Sequence, residues 1–167
     1  PDAPLFISET ISIFNDKYNI SCNGVNDGAI DVTVTGGTRG YTYEWTTSGG
    51  FGLITDAEDQ TGLGPGEYTV TVVDENLCDI TKTFVLVAPE KIVYSLIKKT
   101  DVSCFGANDG SIDISVSKGT GDYNFEWSTD DGSGLKLNDT TNPTGLGPGT
   151  YKLILSDGCE AFTFVYK

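Results

Sequence analysis

The chain has 167 residues, no histidine and a formal net charge of −14. This charge would repel the phosphates of nucleic acid and the anionic surface of a bilayer, so it disfavours both as partners and favours a cation such as calcium. A hydrophobic content of 38% with 20% charged residues is typical of soluble globular domains. No apolar run approaches the roughly 20 residues that cross a bilayer.

Apolar and polar residues alternate along the chain with a period of two. Ile30, Val32 and Val34 share one face of a first predicted strand, and Tyr43 and Trp45 share one face of the next. Such short alternating segments between Gly-rich turns are typical of β-strands, and no segment has the 3.6-residue period of a helix. We therefore predict an all-β fold of the immunoglobulin-like β-sandwich type.

The sequence pattern of the first half returns in the second half. The segment Cys22–Gly28 matches Cys104–Gly110 at an offset of 82 positions. A constant period of this length indicates a tandem array of one structural unit. We predict two domains, residues 1–87 and residues 88–167, each an immunoglobulin-like sandwich.

A Leu-Gly-Pro-Gly-x-Tyr motif ends at Tyr68 in the first repeat and at Tyr151 in the second. A tyrosine at this place is typical of the corner before strand F of immunoglobulin-like sandwiches, where its hydroxyl bonds to upstream backbone. The functional alternative is a tyrosine platform for sugar. The alternation places both side chains on the core face, which favours the structural role.

The two tryptophans, Trp45 and Trp127, allow the same two interpretations. Exposed in a groove they would stack on sugars, whereas buried they would anchor the core. Their alternation with Tyr43 and Phe125 favours burial. The loop 46–61 after Trp45 is rich in glycine and weakly patterned, so we expect a missing or rudimentary strand there.

Four cysteines occupy matching places in the two repeats, at Cys22, Cys78, Cys104 and Cys159. An even count without histidine or a close Cys-x-x-Cys pair favours disulfides in an oxidising compartment over a zinc site or a redox motif. Four cysteines allow three pairings. The one that repeats is Cys22–Cys78 with Cys104–Cys159, so we predict one disulfide within each domain.

Acidic loops adjoin these cysteines and provide a candidate calcium site in each repeat. If the predicted disulfides close, they bring each Asn-Asp-Gly turn close to an aspartate before the second cysteine, and calcium takes roughly six to eight oxygen ligands. The alternative is that each Asn-Asp-Gly segment is a turn whose aspartate bonds local backbone. The candidate ligands are Asn26, Asp27, Asp74, Asn108, Asp109 and Asp157.

Catalytic motifs are not apparent. Histidine, the commonest general base, does not occur in the sequence. No phosphate-binding loop or nucleophile elbow is present either. We expect no enzymatic activity and no required cofactor apart from the candidate calcium.

Three motifs stand out along the chain, namely Cys-x-Gly-x-Asn-Asp-Gly, Gly-x-x-x-Tyr-x-Tyr-x-Trp and Gly-Leu-x-x-Gly-x-Tyr, followed by Asp and Cys. Together they resemble the SprB repeat, which occurs in very large cell-surface adhesins of gliding Bacteroidota. The second repeat departs from the first in having Phe125 in place of Tyr43, and a shorter loop before Cys159. The motifs cover nearly the whole chain, twice.

The resemblance implies export by the type IX secretion system, display at the outer cell surface as part of a larger protein, and a role in gliding motility or adhesion. It also implies neighbouring repeats as partners and no direct membrane insertion. The leading interpretation is a stalk or spacer segment. The alternative is an array of carbohydrate-binding modules for surface polysaccharide, whose weak sites add up by avidity. The stretch Val87–Glu90 leaves almost no linker, and Ala3–Pro4 resembles it, so we expect a piece of a longer array.

Overall fold

A computed structural model of the protein describes residues 3–136 and 141–167. These residues form strands and turns, and none of them forms a helix that is long and apolar enough to span a membrane. The predicted all-β fold is confirmed. The chain divides into two compact units, Pro1–Pro89 and Glu90–Lys167, called repeat 1 and repeat 2 below. The boundary lies two residues after the predicted one.

The described residues of repeat 1 form six strands, β1 (Phe6–Ile11), β2 (Gly28–Thr35), β3 (Thr42–Ser48), β4 (Gln60–Leu63), β5 (Gly66–Val73) and β6 (Asp79–Leu86). They pair in two antiparallel sheets, one with the order β1-β2-β4 and the other with the order β3-β5-β6.

Repeat 2 has the same topology. Its strands are β7 (Ile92–Thr100), β8 (Gly110–Lys118), β9 (Asn124–Thr129), β10 (Thr144–Leu146), β11 (Tyr151–Ser156) and β12 (Ala161–Tyr166). The sheets have the orders β7-β8-β10 and β9-β11-β12, so each strand has the neighbours of its counterpart in repeat 1.

The core of repeat 1 lies between its two sheets. The alternation buries Ile30 and Val32 on β2 and Val70 and Val72 on β5, since successive side chains of a strand point to opposite faces. Trp45 is only 2% exposed, and its Nε1 donates a hydrogen bond to the carbonyl of Ala57 at 2.8 Å. The buried indole therefore keeps its polar atom paired.

Repeat 2 has an equivalent core, in which the tryptophan is less completely buried. Ile112 and Ile114 on β8 face Leu153 and Leu155 on β11, and all four are buried. Trp127 is half-buried, and its ring lies 5.7 Å from that of Tyr166. Trp45 has the matching ring contact with Phe84, at 5.8 Å.

Between β3 and β5 only one strand, β4, forms in repeat 1, where a seven-strand immunoglobulin domain has two. Gln60 on β4 is fully buried. Its side-chain Oε1 accepts from the N–H of Ile54, and its Nε2 donates to the Ile54 carbonyl, at 2.9 and 2.7 Å. The amide side chain thus satisfies backbone groups that a further strand would otherwise pair.

Each repeat has two ends that are chemically different. We call the end with the Leu-Gly-Pro-Gly-x-Tyr motif the corner end, and the end with the β5–β6 or β11–β12 turn the hairpin end. Strand β6 has eight residues and spans about 25 Å between them. In repeat 1 the N–H of Gly37 bonds the Ala3 carbonyl at the hairpin end, and the N–H of Asn19 bonds the Val87 carbonyl at the corner end.

Repeat 2 has the same polarity. Ile92, at the start of β7, pairs with Lys118 beside the hairpin end. Tyr166, at the end of β12, pairs with Tyr151 at the corner end. The chain therefore enters each repeat at its hairpin end and reaches its last strand residue at the corner end.

Candidate functional site at the two ends of each repeat

At the corner end of repeat 1, Tyr68 ties the start of β5 to the preceding loops. Its hydroxyl donates to the Gly64 carbonyl at 2.8 Å and accepts from the N–H of Phe51 at 2.9 Å. The side chain is fully buried. The ring therefore offers no surface on which a sugar could stack.

Tyr151 does the same in repeat 2. Its hydroxyl donates to the Gly147 carbonyl at 2.7 Å and accepts from the N–H of Ser133 at 3.1 Å. It is 4% exposed. Both tyrosines thus satisfy buried backbone groups.

The Asn-Asp-Gly segments, also at the corner ends, form local turns. Asp27 Oδ1 accepts from the N–H of Ser21, and Asp109 Oδ1 accepts from the N–H of Ser103, both at 3.0 Å. Hydrogen bonds from the Ser103 side chain and backbone lower the pKa of Asp109. These contacts agree with the turn interpretation, in which each aspartate bonds its own loop.

At the hairpin end of repeat 1, Asp74 joins two turns. Its Oδ2 accepts from the N–H of Thr38 in the β2–β3 turn at 2.9 Å. Its Oδ1 accepts from the N–H groups of Asn76 and Cys78 in the β5–β6 turn, at 3.0 and 2.8 Å. We call this arrangement the aspartate brace. Asp74 is 4% exposed, and three N–H donors compensate for its burial.

Asp157 forms the matching brace in repeat 2. Its Oδ2 accepts from the N–H of Thr120 at 2.8 Å, and its Oδ1 from those of Cys159 and Glu160 at 3.1 and 2.9 Å. Thr120 also donates its hydroxyl to the Asp157 carbonyl at 2.9 Å. The brace survives the shortening of this loop because the carboxylate still receives two donors from the hairpin and one from the opposite turn.

Both brace carboxyls have a pKa below the usual value. For Asp74 the main cause is the hydrogen bond from Thr38, supported by Cys78 and Asn76, and these outweigh burial. For Asp157 burial is the largest single influence and raises the pKa. The hydrogen bonds donated by Thr120, Glu160 and Cys159 lower the pKa and together outweigh burial. The brace therefore favours the charged form.

The predicted disulfides within each repeat are wrong. Cys78 and Cys104 are exposed free thiols, whereas Cys22 and Cys159 are disulfide-bonded. Each predicted pair thus contains one cysteine that is free.

The positions of the cysteines within each repeat explain this outcome. Cys22 lies at the corner end, where the neighbouring Asn23 donates its Nδ2–H to the Pro89 carbonyl at 3.0 Å. Cys78 lies at the hairpin end, directly before β6. A strand of eight residues separates the two ends by about 25 Å, whereas bridged cysteines have Cα atoms within about 7 Å.

The same separation applies in repeat 2. Cys104 belongs to the loop of Asp109 at the corner end, and its carbonyl accepts from the N–H of Ala107 at 3.0 Å. Cys159 belongs to the β11–β12 turn at the hairpin end. Strand β12, with six residues, places about 20 Å between these ends.

The candidate calcium ligands do not converge either. Asn26 and Asp27 lie at the corner end of repeat 1 and Asp74 at its hairpin end, so the length of a strand separates them. Asn108, Asp109 and Asp157 are separated in the same way in repeat 2. Among the described residues no group of three or more Cys, Asp or Glu side chains could hold a metal ion.

A pocket of about 210 Å³ opens at the corner end of repeat 2, between Gly110, Leu146, Tyr151 and Tyr166. In repeat 1 the matching glycine, Gly28, is covered by the side chains of Ile20 and Leu86. The pocket therefore lies where core side chains cover the matching glycine in repeat 1.

Three polar anchors have little or no signal in the sequence. Thr38 and Thr120 donate the backbone N–H that Asp74 and Asp157 accept from the opposite turn. Asn19 accepts from the N–H of Val87 at 3.0 Å and donates to the Ser12 carbonyl at 3.0 Å. The only sequence signal for the threonines is their place after a Gly turn. Asn19 has no such signal, because repeat 2 has Asp101 at the matching position.

These features define a class: tandem immunoglobulin-like β-sandwich repeats whose polar residues brace the ends. The family model of the SprB repeat matches residues 15–50 and 97–132, one segment in each repeat. The resemblance to the SprB repeat is therefore confirmed for both copies.

Solved structures of low sequence identity are also similar. One contains the three N-terminal domains of the Highly Immunogenic Outer Capsid protein (Hoc) of bacteriophage RB49, with 14% identity, a TM-score of 0.50 and 97% of this chain covered. Another contains the eight N-terminal Ig domains of the Down Syndrome Cell Adhesion Molecule, with 14% identity, a TM-score of 0.41 and 95% covered. The chain spans 58% and 24% of their respective lengths. No curated protein matches the chain in sequence.

The family match supports a coarse functional statement. The SprB repeat is a repeat of cell-surface proteins, and the disulfide-bonded state of Cys22 and Cys159 fits an oxidising, extracellular location.

Proposed function

We propose that this chain is a non-enzymatic spacer segment of a large cell-surface adhesin. The observation that carries the proposal is the polarity of each repeat. The chain enters repeat 1 beside Gly37 at the hairpin end and leaves it beside Asn19 at the corner end, about one strand length away. A repeat built in this way adds a fixed length to a stalk each time it is copied.

The polar residues common to both repeats support a structural role. The tyrosine hydroxyls and the brace carboxylates are bound to backbone of their own repeat. Among the described residues, no buried side-chain nitrogen or oxygen lacks a hydrogen-bond partner. The buried polar side chains therefore serve the structure of their own repeat.

The finer role follows the SprB resemblance. We place the parent protein at the outer membrane, exported by the type IX secretion system, in gliding motility or surface adhesion. Its partners would be neighbouring repeats of the same polypeptide, without nucleic acid and without insertion into the membrane. Polysaccharide binding is less favoured, because Trp45, Tyr68 and Tyr151 are buried and cannot stack on a sugar ring.

The test compares two variants of the full-length adhesin in cells. In one, residues 1–167 are replaced by two immunoglobulin-like domains of unrelated sequence, and in the other they are deleted. We expect the replacement to retain attachment and movement on a surface, and the deletion to reduce both because the stalk is shorter. If the replacement fails as completely as the deletion, the segment is not a spacer.

A glycan array with the purified chain tests the competing function. Binding to a defined polysaccharide that exposed-surface variants abolish would establish a binding module instead. We expect no binding above that of an unrelated immunoglobulin-like domain.

A further inference from the structure

A turn at the corner end of repeat 1 carries the dipeptide Asn23-Gly24. The N–H of Val25 donates to the Cys22 carbonyl at 3.3 Å, so these four residues form a β-turn. Gly24 has a φ of +78°, and a Cβ added there would have no atom within 4 Å. Asn23 and Gly24 are both exposed. The peptide bond between them is therefore accessible to solvent.

An asparagine that precedes glycine is chemically reactive without an enzyme. The backbone nitrogen of the following residue attacks the side-chain amide carbon and closes a cyclic succinimide. A Cβ on the following residue hinders this approach, and glycine has none. Asn23 is the only asparagine of the sequence that glycine follows. The exposed turn thus carries the most reactive asparagine of the chain.

The matching turn of repeat 2 has the same geometry without this reactivity. The N–H of Ala107 donates to the Cys104 carbonyl at 3.0 Å, and Gly106 has a φ of +79°. Phe105 takes the place of Asn23, and its side chain has no carbonyl carbon to attack. The two turns therefore differ in side-chain chemistry, and a modification of this kind is confined to the turn of repeat 1.

The side chain of Asn23 also has a structural role. Its Nδ2 donates to the Pro89 carbonyl at 3.0 Å, and Pro89 is fully buried at the end of repeat 1. The N–H of Asn19 donates to the Val87 carbonyl at 2.8 Å, and its side-chain oxygen accepts from the Val87 N–H at 3.0 Å. Asn19 and Asn23 thus fasten residues 87–89 to the loop of the corner end.

We propose that Asn23 is a site of spontaneous deamidation, which releases residues 87–89 from the corner-end loop. The Gly24 nitrogen forms a bond to Cγ of Asn23, and the bond from Cγ to the side-chain nitrogen breaks. The proton of the Gly24 N–H leaves with this nitrogen as ammonia. Water then opens one of the two C–N bonds of the succinimide and gives aspartate or isoaspartate. The proposal is independent of whether the parent protein is an adhesin.

Both products lack the donor on which the contact with Pro89 depends. An ionised carboxylate has only acceptors, so an oxygen in place of Nδ2 would face the Pro89 carbonyl oxygen without a proton between them. The buried carbonyl then loses this partner, which weakens the attachment of residues 87–89. Isoaspartate also routes the backbone through the side chain and adds one methylene to the turn.

Ageing of the purified whole chain tests the modification. The folded chain is incubated in mildly alkaline buffer, reduced and digested with trypsin, and the peptide of residues 18–39 is sequenced by electron-transfer dissociation. The same peptide contains Asn19 and Asn26 as internal controls. We expect aspartate and isoaspartate at position 23 before either control is converted. The variant Asn23→Gln, whose longer side chain closes a ring much more slowly, should remain intact. An unmodified Asn23, or conversion of Asn26 at the same rate, would overturn the proposal.

Variants that carry the charge of the product test the release separately. Asn23→Asp places a carboxylate at the contact with Pro89, whereas Asn26→Asp adds the same charge to the same exposed loop. We expect several-fold faster hydrogen exchange at the Val87 N–H in Asn23→Asp, because one hydrogen bond of this segment is lost, and no change in Asn26→Asp. NMR resolves this amide. Equal exchange in the two variants would show that Asn23 does not hold residues 87–89.

Discussion

Asp74 accepts a hydrogen bond from the backbone N–H of Thr38, 36 positions earlier in the chain, at 2.9 Å. The β2–β3 turn connects the two sheets of the sandwich, and this contact fastens it to the β5–β6 turn. Asp157 and Thr120 repeat it at 2.8 Å across 37 positions. An equivalent aspartate carboxylate thus closes the hairpin end of each sandwich.

Replacing the brace carboxylate should destabilise its own repeat. Asp157→Asn retains one acceptor oxygen but leaves at least one of the N–H groups of Thr120, Cys159 and Glu160 without a partner. The expected loss is about 1–3 kcal/mol, or roughly 4–8 °C in Tm for each kcal/mol in a domain of this size. Calorimetry of the whole chain measures it. Asp122→Asn, an exposed change in the same turn region, is the control and should leave Tm unchanged.

The brace also predicts how stability depends on acid. The folded pKa of Asp74 and Asp157 lies below the ordinary value, so the unfolded chain takes up protons first as pH falls. The contribution is complete above the unfolded carboxyl pKa of about 4 and is lost as pH falls through the folded value. Denaturant unfolding between pH 5 and pH 2 should therefore show falling stability.

The acid dependence separates the brace from general charge effects. Asp157→Asn should flatten the pH dependence in repeat 2, whereas Asp122→Asn should retain it. An unchanged slope in Asp157→Asn would show that the brace carboxyl does not contribute to acid sensitivity.

The buried tyrosine hydroxyls should contribute to the corner ends. Tyr68→Phe keeps the ring in the core but leaves the Gly64 carbonyl and the Phe51 N–H without their partner, at a cost of about 1–3 kcal/mol. Hydrogen exchange by mass spectrometry should show faster exchange in peptides of repeat 1. Peptides of repeat 2 serve as the internal control, and Tyr151→Phe should reverse the pattern.

The strand alternation is sufficient to predict which side chains form the core between the two sheets, because Ile30, Val32 and Val70 face inward under any pairing of the strands. The pairing of the cysteines was not accessible in this way. Cys22 and Cys78 have the same spacing as Cys104 and Cys159 within one residue, and spacing does not tell which end of a strand a loop occupies. Once β5 and β6 pair along eight residues, that length excludes a bridge within the repeat.

The brace shows a second limit of sequence reasoning. Asp74 was singled out as a candidate calcium ligand because a carboxylate beside a cysteine and a turn is compatible with metal binding. Its three donors are backbone N–H groups, and any residue except proline supplies such a group. Such donors leave no pattern in the sequence, so a structural carboxylate and a metal ligand look alike until the turns are placed in space.

Gly36 should be needed for the entry of the chain into repeat 1. It has φ of +79°, and a Cβ added there would lie 2.0 Å from the Pro4 carbonyl oxygen. Gly24 has nearly the same φ, +78°, with no atom within 4 Å of an added Cβ. Both alanine variants pay the left-handed backbone cost of about 1–2 kcal/mol, but only Gly36→Ala must also displace Ala3–Pro4 from the β2–β3 turn.

Comparing Gly36→Ala with Gly24→Ala therefore separates the effect of the contact with Pro4 from the effect of the left-handed backbone conformation. We expect Gly36→Ala to lower Tm more than Gly24→Ala does, and to increase hydrogen exchange at Gly37, whose N–H bonds the Ala3 carbonyl at 2.7 Å. NMR-detected exchange resolves this single amide. Equal effects of the two variants would mean that the N-terminal segment is not held against the turn, and the entry point at the hairpin end would then need another anchor.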